Sequence, residues 1–295
     1  MDLEEILEET AFNLIRLATT KLPEDVKYAL LKAYERETSE TGKKQLATII
    51  KNIQLAEERR VPMCQDTGFL EFHIAIGEQF NHSIKYFDSL KKATRRATAN
   101  IPLRPNIVHP LTRKNSGDNT GLNIPIIDCE IVNGDFMDVL VVPKGAGSEN
   151  MNRLLMLNPI EDLKEVKRFV VDSVIDAGSK PCPPTIIGVG LGGSSDYAMK
   201  LAKKAATRPL DRVNADEQLS DLEEELTELV NMTGIGPMGL GGSTTTLGVK
   251  VERADCHTAS LPLGFVMQCW AARRARARIY QNGLVKYLSH KDETT

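Results

Sequence analysis

Five cysteines stand in this chain of 295 residues: Cys64, Cys129, Cys182, Cys256 and Cys269. Three share a setting. Cys64 lies in PMCQDTG, Cys182 in KPCPPT between two prolines, and Cys269 in FVMQCWAARRA. Dispersed thiolates of this kind suit an iron–sulfur cluster that keeps one iron open to a substrate as a Lewis acid. Separations of 118 residues (182 − 64) and 87 residues (269 − 182) are too wide for a zinc ribbon, and no CxxC pair occurs. On spacing alone the plainer reading is buried small apolar side chains, because cysteine is among the most buried residue types. Cys129, in IIDCEIV, reads as a core position on a strand, and Cys256 beside His257 stays open. The odd count, with no secretory signal expected, argues against a disulfide framework.

Other polar groups gather around loops. Gln65, Asp66 and Thr67 follow Cys64 and end at Gly68, a pattern that a capped turn alone explains. Arg104, in LRPN, carries a fork suited to bidentate carboxylate binding. His257, in DCHTASLP, could donate to a carboxylate or act as an acid, although most isolated histidines are structural. GVGLGG (188–193) matches G-x-G-x-x-G between an expected strand and helix, the signature of a Rossmann-type oxidoreductase. Against that, no second strand ending in an acid follows; Asp211 comes after Arg208-Pro209-Leu210. A closed zinc site on Cys64, Cys182, Cys269 and His257 is another reading. KGAGS (144–148) and GPMGLGGST (236–244) are loops whose N–H groups could cradle an anion, or simple turns. ARRARAR (272–278), as a strand, puts Arg274, Arg276 and Arg278 on one face, as an interface or a solvated edge.

The elements that must position these groups read as mixed α/β. Residues 3–59 show helical apolar rhythm in three helices, the second opened by Pro23, the third spanning about 42–60. Phe72, Ile74 and Ile76 alternate with polar or small neighbours, which predicts a strand after Cys64. A helix is expected over 83–99, then a long loop from Ile101 to Pro125. IPIIDCEIV and DFMDVLVV around Asn133-Gly134 predict a hairpin. Helices are expected near 160–177 and 195–206, a solvated acidic helix over 215–231, and strands at 185–192, 245–253 and 263–279. No composition break marks a linker, so the expectation is one domain, 1–295, with a helical part (1–60) and a core of mixed sheets flanked by helices (61–295). With Lys+Arg 37 against Asp+Glu 40, the net charge of −3 argues against a general nucleic-acid coat. No run of eighteen apolar residues exists to span a membrane. The acidic, amphipathic MDLEEILEET is neither a signal nor a transit peptide, so the expected location is the cytoplasm.

Taken together, CQDTG (64–68), LRPN (103–106), PKGAGSEN (143–150), KPCPPTIIGVGLGGSSDYAMKLAKKA (180–205), GPMGLGGSTTTLGV (236–249) and CHTASLPLGFVMQCWAARRA (256–275) resemble the class I, iron–sulfur fumarate hydratases and the alpha subunits of L(+)-tartrate dehydratase. The resemblance implies a [4Fe–4S] cluster on Cys64, Cys182 and Cys269. Its fourth iron would bind the substrate hydroxyl and a neighbouring carboxylate oxygen. It also implies substrate contacts from Gln65, Asp66, Arg104, His257 and a glycine of KGAGS, placed at Gly147 with Gly145 as the other candidate. Asp66 and His257 would polarise or orient the substrate. Single-chain members continue into a C-terminal domain that carries further substrate-binding groups and a threonine base. This chain, ending at Thr295, is therefore expected to be an alpha subunit completed by a beta subunit in a hetero-oligomer. The implied reaction is reversible hydration of a small dicarboxylate, fumarate to L-malate first, with L(+)-tartrate dehydration the alternative.

Overall fold

The computed structural model describes residues 2–80, 85–160 and 163–290. In chain order the elements are α1 (Leu3–Thr20), α2 (Glu24–Arg36), α3 (Glu40–Arg59), β1 (Phe69–Gly77), α4 (Tyr86–Asn100), β2 (Ile126–Val132), β3 (Phe136–Lys144), α5 (Ala146–Glu149) and β4 (Arg153–Leu157). There follow α6 (Leu163–Ala177), β5 (Thr185–Leu191), α7 (Ser195–Thr207), α8 (Glu217–Asn231), β6 (Thr246–Arg253), β7 (Leu261–Gln268), β8 (Ala275–Tyr280) and β9 (Val285–Tyr287). Helices and two mixed sheets make this a mixed α/β chain. The start of the helix expected at 83–99, and part of that near 160–177, lie outside the described residues. No helix among the described residues is long and apolar enough to cross a membrane.

Two compact units form from interleaved segments: unit one from 1–24, 52–145 and 273–295, unit two from 25–51 and 146–272. Because each unit draws on distant segments, no linker composition marks their boundary.

Unit one holds a five-stranded sheet in the order β2-β1-β3-β8-β9. An Asp2–Glu5 capping box starts α1. The apolar faces of α1 and α4 cover the sheet with Leu7, Leu14, Leu90 and Ala97 against Phe72, Ile74, Val139 and Ala277. The expected hairpin does not form. β1 lies between its two strands, parallel to β2 (Ile74↔Cys129) and antiparallel to β3 (Ile74↔Val139). α4 and the 101–125 loop provide the crossover that a parallel pair needs. The Asn133-Gly134 turn instead receives the end of β1: Gln79 N–H donates to the Gly134 carbonyl at 2.9 Å. β2 is consequently an edge strand, and Cys129 is exposed rather than in the core.

ARRARAR also differs from expectation, because β8 is covered on both edges by β3 and β9. Arg278 Nε and Nη2 reach the Asp138 carboxylate at 2.7 and 2.9 Å, and Arg276 Nη2 reaches it at 2.6 Å. Burial works to raise the Asp138 pKa, but the two guanidiniums outweigh it and hold the carboxyl below its usual range.

Unit two holds a four-stranded sheet in the order β4-β7-β5-β6, with β5 parallel to β6 and antiparallel to β7. α6 and α8 bury Val170, Val174, Leu222 and Leu226 against Val189, Phe265 and Met267. The acidic helix is thus amphipathic rather than wholly solvated. Its Glu223 is itself buried, paired with Arg208 and Lys250. The single strand expected over 263–279 is two strands in two sheets, β7 and β8, interrupted at 269–274.

The glycines of GVGLGG serve packing. Cβ atoms on Gly188 and Gly190 would fall 2.0 Å from the carbonyl oxygens of Ala202 and Ala198 in α7. A sheet that mixes parallel and antiparallel pairs is also unlike the doubly wound parallel sheet of a dinucleotide fold. The loop at 236–244 does cradle an anion, but it is this chain's own Glu37. That carboxylate accepts the N–H groups of Thr38, Ser39, Ser243 and Thr244 at 2.8–3.0 Å, plus the Ser243 hydroxyl. Burial pushes the Glu37 pKa up, yet these donors prevail and hold it below the ordinary value.

Two outcomes are expected. Gly190→Ala costs about 3 kcal/mol or more in urea unfolding, because helix backbone must retreat; an unchanged midpoint would show that α7 yields freely. Glu37→Gln costs about 2 kcal/mol at pH 7, through lost charge-assisted bonds. Since the folded pKa is depressed, the wild-type contribution is complete above the unfolded pKa of about 4.3 and fades as pH falls through the lower folded value. The variant's deficit should therefore narrow on acidification, as read by pH-dependent unfolding.

Candidate active site

In unit one, the residues after α3 make a tight turn before β1. The Asp66 carboxylate accepts the Gly68 N–H at 3.0 Å, an Asx turn. Gly68 has φ +81°, and a Cβ there would lie 2.8 Å from the Pro143 carbonyl carbon, so glycine is required. Buried Arg273 donates from Nη1 to the Asp66 carbonyl at 2.8 Å. A Cβ on Gly145 would stand 3.1 Å from Asp66 Oδ2, so this glycine abuts Asp66.

Arg104 is exposed, but its backbone is fixed from below. Thr67 Oγ1 accepts the Arg104 N–H at 3.0 Å, and Asn119 Nδ2 donates to the Arg104 carbonyl at 3.0 Å. Asn106 bridges by donating its N–H to Asn119 at 2.7 Å and its amide to the Gly68 carbonyl at 3.1 Å. These bonds bring Arg104 beside the CQDTG turn. Cys64, Gln65, Thr67, Arg104, Met63 and Asn52 line one open cavity of about 360 Å³.

In unit two, the antiparallel register of β5 and β7 determines what meets. The pairing runs from Ile186↔Gln268 to Leu191↔Leu263. Cys182 precedes β5 and Cys269 follows β7, so the two cysteine loops lie at the same end. Trp270 N–H donates to the Cys182 carbonyl at 3.1 Å, and the Cys269 thiol reaches the Ala271 carbonyl at 3.6 Å. Cys182 sits at φ +56°, a conformation rare for a residue with a Cβ. Gly147 belongs to this end too, since a Cβ on it would lie 3.0 Å from the Lys180 carbonyl oxygen.

His257 does not. Ala254 N–H donates to Leu191 and Gly193 N–H to Asp255, so the loop carrying His257 joins the opposite end of the β5–β7 pair. The six paired residues of β5 make that separation about 16 Å at roughly 3.3 Å per residue. One tetrahedral zinc cannot join His257 to Cys182 and Cys269 across it, so the zinc reading falls. The His257 ring accepts the Ala259 N–H at Nδ1 (3.1 Å), which places the proton of the neutral ring on Nε2.

None of the five cysteines is in a disulfide. Cys64, Cys182 and Cys269 are each half-buried on loops, neither sealed in a core nor fully solvated. Their donor chemistry fits an iron–sulfur cluster, which thiolates hold. Among the described residues no three His, Cys, Asp or Glu side chains converge as a group able to hold a single metal ion. Of the supports of the site, sequence reasoning named Thr67 only as part of a turn, and it missed Asn106, Asn119 and Arg273. Thr67, Asn106 and Arg273 lie inside quoted motifs, but nothing local indicated whose backbone they would hold.

Comparison with known proteins adds identity. A family model described as fumarate hydratase (fumerase) matches residues 8–278. A Methanocaldococcus jannaschii protein provisionally named L(+)-tartrate dehydratase subunit alpha is 47% identical over 277 residues, 92% of this chain and 97% of its own. A Geobacillus stearothermophilus protein provisionally named fumarate hydratase class I is 40% identical over 301 residues, 98% of this chain but 58% of its own. The L(+)-tartrate dehydratase subunit alpha of Escherichia coli strain UTI89 is 33% identical over 285 residues, 96% of this chain and 94% of its own. With matches of this extent, the chain belongs to the fumarate hydratase (fumerase) family of hydro-lyases, alongside class I fumarate hydratase and the L(+)-tartrate dehydratase alpha subunit.

Proposed function

We propose that this chain is the alpha subunit of a [4Fe–4S] hydro-lyase that reversibly adds water to fumarate to give L-malate in the cytoplasm. The observation that supports it most is the cavity of unit one, where a thiol (Cys64), an amide (Gln65) and a guanidinium (Arg104) line one concave surface. Thiol and guanidinium are the groups a cluster and a dicarboxylate would each require. Cys64, Cys182 and Cys269 hold the cluster, which when bound supplies a Lewis acid that makes the substrate hydroxyl a better leaving group.

The chain's own residues bind and orient. Arg104 grips one carboxylate through two parallel N–H donors, and Gln65 adds an amide donor beside it. Backbone N–H groups of KGAGS at Gly147 support a carboxylate. Asp66, fixed by Gly68 and Arg273, orients the substrate. Anti elimination needs a base on the face opposite the departing hydroxyl. A companion beta subunit provides it, a reading supported by relatives named as alpha subunits and by a single-chain relative that this chain covers to 58%. L(+)-tartrate dehydration is the second reading. It is favoured by the names of the Methanocaldococcus and Escherichia relatives, whose full length this chain nearly matches.

Anaerobic purification with iron and sulfide analysis tests the reading. About four irons per chain are expected, reduced to a labile remnant in Cys182→Ser. The chain alone should turn over poorly, and addition of the beta subunit should restore hydration, with kcat/KM for fumarate above that for tartrate. Absence of iron after reconstitution under reducing conditions would sink the cluster; full activity without the beta subunit would sink the shared site.

A further inference from the structure

An edge strand offers unpaired N–H and C=O groups to any second strand, and proteins blunt such edges with charge or brevity. Among the described strands, three of the four sheet edges are blunted in this way. In unit one β2 carries Asp128 and Glu130, while β9 is three residues long and carries Lys286. In unit two β6 carries Glu252 and Arg253. The fourth edge, β4, reads Arg153-Leu154-Leu155-Met156-Leu157, with no charge beyond its first residue. Its Leu154 and Met156 are 45% and 52% exposed.

The direction of the unused backbone groups follows from β7. Its Pro262 carbonyl accepts the Gly192 N–H, just past the end of β5, at 2.9 Å. Even-numbered residues of β7 therefore address β5, and odd-numbered ones address β4. Across β4, Arg153, Leu155 and Leu157 face Phe265, Leu263 and Leu261 as bonded pairs, while Leu154 and Met156 face Gly264 and Pro262 as non-bonded pairs. Proline has no N–H to donate, so it suits that place. The N–H and C=O groups of Leu154 and Met156 thus point off the open edge, and among the described residues nothing outside the sheet bonds to them. The side chains divide by face. Leu155 and Leu157 pack into the core beneath α6 and α8, and Leu154 shares the α7 face with Gly264.

We infer that β4 is the docking edge for a second copy of this chain, paired antiparallel about a two-fold axis that passes through Leu155. The edge is complementary to itself. About that axis Leu154 falls opposite Met156 of the second copy, and Met156 opposite its Leu154. These are the residues whose donors and acceptors are unused, so both pairs can exchange their hydrogen bonds. Leu155 meets its own copy at the non-bonded place between them, where side chains approach most closely. Further out, Arg153 faces Leu157 and Asn152 faces Asn158, so no like charges are opposed. The same operation on β2, about Cys129, would set Asp128 against Glu130. Two four-stranded sheets join into one continuous sheet, and the exposed Leu154 and Met156 cover each other across the axis. This goes beyond the hydro-lyase reading and does not depend on it.

The mass of the full chain in solution, read by light scattering and analytical ultracentrifugation, tests the edge. Wild type should be a dimer at micromolar concentration. The double variant Leu154→Lys with Met156→Lys sets lysine against lysine in both bonded pairs, and should weaken association by about a hundredfold or more. Its circular dichroism should match wild type, because both side chains lie on the surface. Leu154→Glu with Met156→Glu should likewise be monomeric. An equal mixture of the lysine and glutamate variants should recover the dimer, which misfolded chains would not do. Leu155→Cys should give a disulfide-linked dimer on mild oxidation, above the wild-type background, since opposed non-bonded residues stand about 4.5 Å apart at Cα. Leu154→Cys should not. A wild-type monomer, no recovery from the mixture of folded variants, or cross-linking through position 154 in place of 155 would each overturn the β4 dimer. So would charged variants that stay dimeric, whether or not they lose uptake of a beta subunit.

Discussion

Unit two depends on one close approach. The backbone of α7 rests directly on β5 and β7, at a distance that only hydrogen at Gly188, Gly190 and Gly264 permits. Removing three side chains lets helix and sheet interlock, and that contact fixes β5 against β7 in a single antiparallel register. Everything chemical in this unit hangs from those two strands. The turn before β5 carries Cys182, the turn after β7 carries Cys269, and their opposite ends carry the Gly192-Gly193 loop and His257. A register slip of one residue would turn each side chain to the other face and part the cysteine loops.

The same glycines explain why a nucleotide fingerprint can occur without its usual use. In a dinucleotide fold, glycines admit the pyrophosphate and allow close helix packing. Here packing alone accounts for Gly188 and Gly190, while Gly192 admits the carbonyl of Ala254, 2.0 Å from where its Cβ would be. The Gly-rich loop at 236–244 follows a similar logic. Its N–H groups form an anion cradle, and the anion is the carboxylate at the end of α2. An empty cradle and a filled one look alike in sequence.

Unit one solves a different problem, that of holding an exposed arginine in place. A long surface loop would ordinarily leave Arg104 free to sample many directions. Thr67 and Asn119, both buried, take up its backbone N–H and carbonyl and so confine the loop to one path beside Cys64. The cost is left-handed backbone at Asn119 (φ +58°), a residue type that tolerates it better than most.

Helices were legible in the sequence because their signals are local. The Asp2 capping box, Pro23 ahead of α2 and the 3.6-residue apolar rhythm each depend on neighbours within a turn. The cysteine loops and the glycine motifs were legible too, since the residue types themselves restrict what can stand there, and read together they resembled one family. Strand partnership was not. Asn133-Gly134 carries every local mark of a hairpin, but β1 lies between the two strands and displaced the hairpin by pairing with both. The run 263–279 reads as one strand because alternation continues, although its halves belong to different sheets. His257 and Cys269 stand only twelve residues apart in sequence, yet an intervening strand drives them to opposite ends. Residue type and short-range pattern are properties of the sequence by itself. Which strand lies beside which, and therefore which groups meet, is decided by burial and hydrogen bonding summed over the folded unit.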